Sequence, residues 1–295
     1  MNWGRLITAM VTPFDNKLNV DYEQAVNLAK KLKNERSTAV IINGTTGESP
    51  TLSSDEVYKL ISEVRKNVSI PIIAGVGTNN TKKTIENIKN IEDLNVDGLL
   101  VITPYYNKPN QESIYAHFKA VAESTDLPII IYNVPGRTGV NISVKTVKKL
   151  AEIKNIVAVK EASGDVAQFT RMVCETPDDF MVYSGDDILT LPTLAVGGSG
   201  IVSVASNIAG IKMGEMIDAF EKGDMKLATK INLELTKLFD ALFVTTSPIP
   251  IKYALNILGF NVGGYRLPLT DPTPEVAKIV EENLSVINEV AYNEN

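Results

Sequence analysis

The chain is poor in the two residues that most often organise catalytic sites: it has one histidine, His117, and one cysteine, Cys174, in 295 residues. A lone cysteine excludes an internal disulfide and fits a reducing compartment. A zinc site of His and Cys ligands cannot be assembled within the chain. His117 lies in Ile114-Tyr115-Ala116-His117-Phe118-Lys119, which reads as a solvent-facing helix residue, so a Ser-His-Asp arrangement is not expected. Positive charge is not in excess: 29 Lys and Arg stand against 35 Asp and Glu, a formal net charge of −6. That excludes a broad nucleic-acid-binding face. No basic segment followed by an apolar stretch opens the sequence, and no apolar run approaches the roughly 20 residues that span a bilayer. A cytosolic protein without a membrane anchor is expected. Acid–base chemistry falls to carboxylates, lysines and tyrosines.

What the chain does contain is a repeat. Short apolar runs occur at 6–10, 39–42, 71–74, 98–102, 128–132, 156–160, 181–184 and 201–204, each followed by a polar or glycine-bearing loop and a helical pattern. Eight strand–helix units imply a parallel sheet closed on itself, a (β/α)8 TIM barrel of the α/β class. A doubly wound open sheet is the alternative, but it carries a glycine loop after its first strand. Here Val11-Thr12-Pro13-Phe14-Asp15 has none. Helix starts are legible in the Ser53…Glu56 capping-box spacing and in the apolar spacing of 81–88. After Val204 the repeat stops and the pattern becomes helical, with breaks at 247–250 and near Gly263-Gly264. Residues 1–224 are expected to form a catalytic barrel and residues 225–295 a C-terminal helical extension packed on it.

In such barrels functional groups sit at the C-terminal ends of strands. Those ends are Gly44-Thr45-Thr46-Gly47-Glu48 after the second run, Thr103-Pro104-Tyr105-Tyr106-Asn107 after the fourth, and Tyr132 to Gly139 after the fifth. Lys160-Glu161-Ala162-Ser163-Gly164 ends the sixth, and Ser184-Gly185-Asp186-Asp187 the seventh. Lys160 is the most informative. It closes an apolar run in which alternation puts Ile156, Ala158 and Lys160 on one face. Burial disfavours the charged amine, and a neutral amine attacks carbonyls to form Schiff bases. Taken singly, each of these residues has a plainer role in turns, packing or surface charge. Gly197-Gly198-Ser199-Gly200 precedes the eighth strand, the wrong rim for a phosphate site. Asp186-Asp187 lacks the further carboxylates of a magnesium site. No metal and no organic cofactor are expected.

The motifs together resemble the dihydrodipicolinate synthase / N-acetylneuraminate lyase family of lysine-dependent aldolases. Gly44-Thr45-Thr46-Gly47-Glu48 is similar to its pyruvate-binding motif, and Tyr132-Asn133-Val134-Pro135 and Lys160 to Gly164 to its tyrosine and Schiff-base segments. The resemblance runs from about Leu6 through Pro268. It implies Lys160 as the imine-forming residue and a proton relay of Tyr132, Thr45 and Tyr106, with Tyr106 supplied by a neighbouring subunit. Thr46 would hold the pyruvate carboxylate and Arg137 a second carboxylate. Gly185 and Val202 would meet substrate through their backbones.

Within the family, Pro135-Gly136-Arg137-Thr138-Gly139 implies condensation of pyruvate with L-aspartate 4-semialdehyde on the route to lysine and diaminopimelate. The alternatives are a lyase that cleaves a sugar acid to pyruvate and an aldehyde, and a pyruvate-binding regulator without catalysis. The resemblance also implies a homo-oligomer, at least a dimer and by family habit a tetramer. Some relatives are inhibited by L-lysine. This chain keeps Ser49, Asn79 and Tyr105 at matching positions, but has Ser54 and Val57 where histidines can occur and Lys83 where glutamate is expected. A cation there repels the effector's ammonium group, so weak or absent lysine inhibition is expected.

Overall fold

The structure, a computed structural model, describes residues 3–288; the part of the expected C-terminal extension at 289–295 lies outside them. Eight parallel strands form a closed barrel in the order β1 to β8. They are β1 (Leu6–Ala9), β2 (Ala39–Ile42), β3 (Ile72–Gly75), β4 (Gly98–Ile102), β5 (Ile129–Asn133), β6 (Ile156–Glu161), β7 (Met181–Ser184) and β8 (Gly200–Ser203). Nearly every strand residue is buried, as expected where helices cover one face of a parallel sheet and neighbouring strands fill the other. The helices are α1 (Tyr22–Asn34), α2 (Ser54–Asn67), α3 (Thr81–Lys89), α4 (Gln111–Ala122), α5 (Pro135–Thr138), α6 (Val144–Leu150), α7 (Val166–Glu175), α8 (Thr190–Ala195) and α9 (Ser206–Glu221). Beyond them lie α10 (Met225–Leu242), α11 (Ile249–Ile257), α12 (Pro274–Asn283) and α13 (Ser285–Asn288). None of the described helices is long and apolar enough to cross a membrane.

The helices begin where side chains can satisfy their free N–H groups. Ser53 and Glu56 form the expected reciprocal capping box on α2, and Asp21, Asn80, Asn110, Ser143, Asp165, Asp224 and Thr273 cap seven others. Each such cap contributes about 1 kcal/mol.

The chain packs as two compact units. One comprises the chain up to Ile70 and from Ser203 onward. In it, buried Thr8 shares hydroxyl hydrogen bonds with Ser37 and Ser206 at 2.6 and 2.7 Å. The Asn207 amide donates to the carbonyls of Ala9 and Val204. Gly210 sits where a β-carbon would lie 2.3 Å from the Glu35 carbonyl oxygen, so only glycine lets α9 approach the end of α1 this closely.

The other unit is Pro71–Val202. Asn155 donates to the carbonyls of Ala122, Thr125 and Leu127, closing the turn between α4 and β5. On β6 the strand alternation needs a correction. Ile129 pairs with Ile156 but Ile130 pairs with Ala158, so β6 carries one more residue than β5 at this point. Such a bulge inverts the facing on one side of it. Ala158 and Lys160 share a face, and Ile156 does not.

A second correction concerns His117. It is buried on the inner side of α4, with Nδ1 2.9 Å from Thr81 Oγ1 and its ring edge-on to Phe118. Desolvation holds its pKa down to about 4, from an ordinary 6.5. The sequence hides this because the neighbouring Lys119 and Tyr115 give the segment a polar look. The folded protein keeps His117 neutral at pH values where the unfolded chain protonates it. Stability is therefore full above about pH 6.5 and is lost as pH falls toward 4, by about 3 kcal/mol from this group alone. Denaturant melts at pH 6.5 and 4.5 are expected to show a smaller loss for His117→Leu than for the parent; equal losses would contradict the assignment.

Candidate active site

Two neighbouring strands bring the central pair together. Tyr132 on β5 stands directly opposite Lys160 on β6 in the ladder, and both are only 6% exposed. The register fixes their side chains on one face, and the Lys160 amine lies over the Tyr132 ring, 4.4 Å from its centroid. No carboxylate pairs with this amine among the described residues, in contrast to the chain's other buried lysine, Lys252.

The loop after β7 forms the third wall. Gly185 N–H donates to the Glu161 carbonyl at 2.8 Å, extending the ladder one residue past β7. A β-carbon on Gly185 would lie 2.8 Å from Lys160 Cε and 2.7 Å from Ala162 Cβ. Gly185 is therefore the slot in which the lysine stem lies, a role its place in the sequence does not reveal.

The opposite face of the same strand pair carries a polar network that sequence reasoning missed. Asn133 stands opposite Glu161 in the ladder, and its amide donates to Glu161 Oε2 at 2.8 Å and to Asn141 Oδ1 at 2.7 Å. Asn133 Oδ1 accepts from Ile142 N–H, and Glu161 Oε1 from Ser163 N–H. Asn141 and Gln168 exchange two hydrogen bonds. Buried polar groups are tolerable only when partnered. These partners pin both ends of the 134–142 segment and the turn after Lys160. The sequence signal was available: a polar residue follows each proposed functional residue at the end of an apolar strand.

The remaining expected residues lie as follows. Arg137 is exposed in the short helix α5. Tyr106 is 88% exposed, on backbone with φ +71°, and its N–H donates to the Thr138 carbonyl at 3.4 Å, which ties its loop to the Arg137 segment. A bulky residue at positive φ is uncommon and marks a loop held in a set shape. Thr45 is half-buried and Thr46 buried in the turn after β2, where Gly47 and Ser49 N–H both donate to the Gly44 carbonyl. Val202 is fully buried within β8. No cluster of three or more metal-ligating side chains occurs among the described residues. The arrangement of Lys160, Tyr132 and Gly185 is a buried amine beside a phenol, suited to carbonyl attack and proton transfer.

Residues 2–287 match the Dihydrodipicolinate synthetase family. The chain is 52% identical over 277 residues to a 4-hydroxy-tetrahydrodipicolinate synthase of Moorella thermoacetica, covering 93% of this chain and 95% of that one. It superposes on a crystal structure of a dihydrodipicolinate synthase from Bacillus anthracis with a TM-score of 0.95 at 48% identity, covering 97% and 98% of the two chains. A dihydrodipicolinate synthase from Acinetobacter baumannii, solved in complex with pyruvate, gives a TM-score of 0.94 at 39% identity, covering 97% and 99%.

Gly185→Ala is expected to push the Lys160 amine off the Tyr132 ring and to lower stability by about 1–3 kcal/mol through overpacking. A crystal structure and a thermal melt of the variant check this. An unmoved amine with an unchanged melting temperature would contradict it.

Proposed function

The chain belongs to the dihydrodipicolinate synthetase family, and from that premise we propose that it condenses pyruvate with L-aspartate 4-semialdehyde through an imine at Lys160. The activity is that of a lyase-class enzyme of lysine biosynthesis. The observation that carries the reading is the buried Lys160 amine, free of any carboxylate partner among the described residues and set against a tyrosine. A lysine with no catalytic task would be expected to pair or to reach solvent.

The steps follow from that placement. The neutral amine attacks the keto carbon of pyruvate and water leaves. The protonated imine then draws electrons from the adjacent carbon, so the methyl group loses a proton and becomes an enamine. The enamine carbon attacks the aldehyde of the semialdehyde, and the amino group of that substrate then adds to the imine carbon, closing the ring and releasing Lys160 as the free amine. Tyr132 moves protons at the reacting carbon and the departing oxygen, working through Thr45 and Tyr106, since an isolated phenol titrates too high, near 10, to do so alone. Thr46 holds the pyruvate carboxylate. Arg137 presents its planar fork to the carboxylate of the second substrate. Gly185 and Val202 border the substrate through their backbones.

Tyr106 is nearly fully exposed in the isolated chain, which supports its acting in a second copy's site, with Tyr105 toward the same interface. The active unit is then at least a dimer and, on the family's habit, a tetramer. The proposed division into a catalytic barrel over 1–224 and a helical extension over 225–295 is supported by the break between α9 and α10, where Asp224 caps α10. A single exposed cysteine and the absence of a membrane-crossing helix among the described residues fit a cytosolic enzyme.

The purified protein is expected to turn over pyruvate with the semialdehyde, and not to cleave N-acetylneuraminate or 2-keto-3-deoxygluconate at a comparable rate. Lys160→Ala is expected to lower kcat by about 10³-fold or more. A variant with undiminished turnover, or a preference for a sugar acid, would overturn the reading. In the same assay submillimolar L-lysine is expected to leave the rate nearly unchanged, because Lys83 stands where an anion would be needed and already faces Glu86 across 3.7 Å. Half-inhibition in that range would contradict this.

A further inference from the structure

The last residue of the 44–48 turn does not belong with its neighbours. Thr45 and Thr46 carry hydroxyls suited to a substrate, whereas Glu48 is 2% exposed and its carboxylate is engaged far along the chain. Glu48 Oε1 accepts from Lys252 Nζ on α11 at 2.8 Å, and Oε2 accepts from Arg266 N–H at 3.1 Å. Lys252 has no exposure at all. Its amine also donates to the Gly264 carbonyl at 2.5 Å and lies 4.2 Å from the centroid of the Phe14 ring.

Arg266 continues the attachment. Its guanidinium donates to the Thr51 and Leu18 carbonyls and to both oxygens of Glu56. The chain is thereby fastened at Glu48, Thr51 and Glu56 to a segment more than 200 residues distant in sequence. Glu48 itself stands at φ +55°, a left-handed conformation that an ordinary side chain adopts only when its surroundings impose it.

A buried ion pair is a poor way to gain stability. The desolvation of both ions offsets most of their attraction, and well-packed apolar residues often serve as well or better. What such a pair fixes is geometry, because each ion must be met by its partners in place. We propose that Lys252 is a positioning residue for the reaction: through Glu48 it sets the Thr45–Thr46 turn in the shape that holds the pyruvate carboxylate. This rests on the reading of Thr46 as the carboxylate holder. It gives α11, the helix that carries Lys252, a part in substrate binding.

The test is steady-state kinetics of the full-length protein with each substrate varied. Lys252→Met is expected to raise the pyruvate KM at least tenfold and to leave the semialdehyde KM within about twofold. That variant strands the Glu48 charge and can fail to fold. Lys252→Met/Glu48→Met removes both charges, and it too is expected to show the tenfold rise in pyruvate KM. A double variant with the parental pyruvate KM, whatever its melting temperature, would show that the pair serves the fold alone and would overturn the proposal. If the parent protein itself fails to use pyruvate, the functional reading falls and this proposal with it; a working parent beside an unaffected double variant sinks only this proposal.

Discussion

The proposed chemistry depends on one packing constraint: a lysine stem laid in the gap left by a missing β-carbon, with its amine over an aromatic ring. Gly185 supplies the gap, Tyr132 the ring, and the β5–β6 register sets the two strands so that Tyr132 and Lys160 are direct neighbours. A slip of one residue in that register would turn Lys160 to the helix-covered face. The extra residue in β6 near Val157 therefore matters. It adjusts the phase of the strand before Ala158, and from there to Glu161 the ladder runs without interruption.

What keeps that register is on the far side of the same strands. Asn133 and Glu161 meet there, and through Asn141 and Gln168 they fasten the segment that carries Arg137. Tyr132 and Lys160 on the inner face are thus each followed by a buried polar residue, Asn133 and Glu161, on the outer one. The turn after β2 uses the same device with different parts, a buried carboxylate held by Lys252 and Arg266. In this enzyme, which condenses pyruvate with L-aspartate 4-semialdehyde, the proposed site residues are flanked by further polar groups, of which Asn133, Glu161, Glu48 and Lys252 are buried. The geometry is correspondingly exact in its demands: an unpartnered member would cost about 1–3 kcal/mol.

Much of this could be read in the sequence, for reasons that are local. Strands buried on both faces are written as short apolar runs, and all eight stand within a residue or two of where the runs placed them. The Ser53–Glu56 cap follows from a three-residue spacing. Lys160 was visible because a cation closes the apolar run Ile156-Val157-Ala158-Val159 and the motifs at the other strand ends accompany it. What could not be read depends on long-range contact. Nothing in the composition around Lys252 marks it as a partner of Glu48, and Gly185 shows its purpose only once Lys160 lies beside it. His117 was misjudged because its neighbours are polar, while the face of α4 it occupies is set by what packs there. The facing of Ile156 was misjudged because strict alternation leaves no room for a bulge.

The central claim is that Lys160, and not another amine, captures the keto acid. Treatment of the protein with pyruvate and borohydride, followed by peptide mass mapping, tests it most directly. One reduced pyruvate adduct on the peptide containing Lys160, absent from the Lys160→Ala protein, is the predicted result. No adduct, or an adduct at Lys252 or a surface lysine with Lys160 unmodified, would contradict the account.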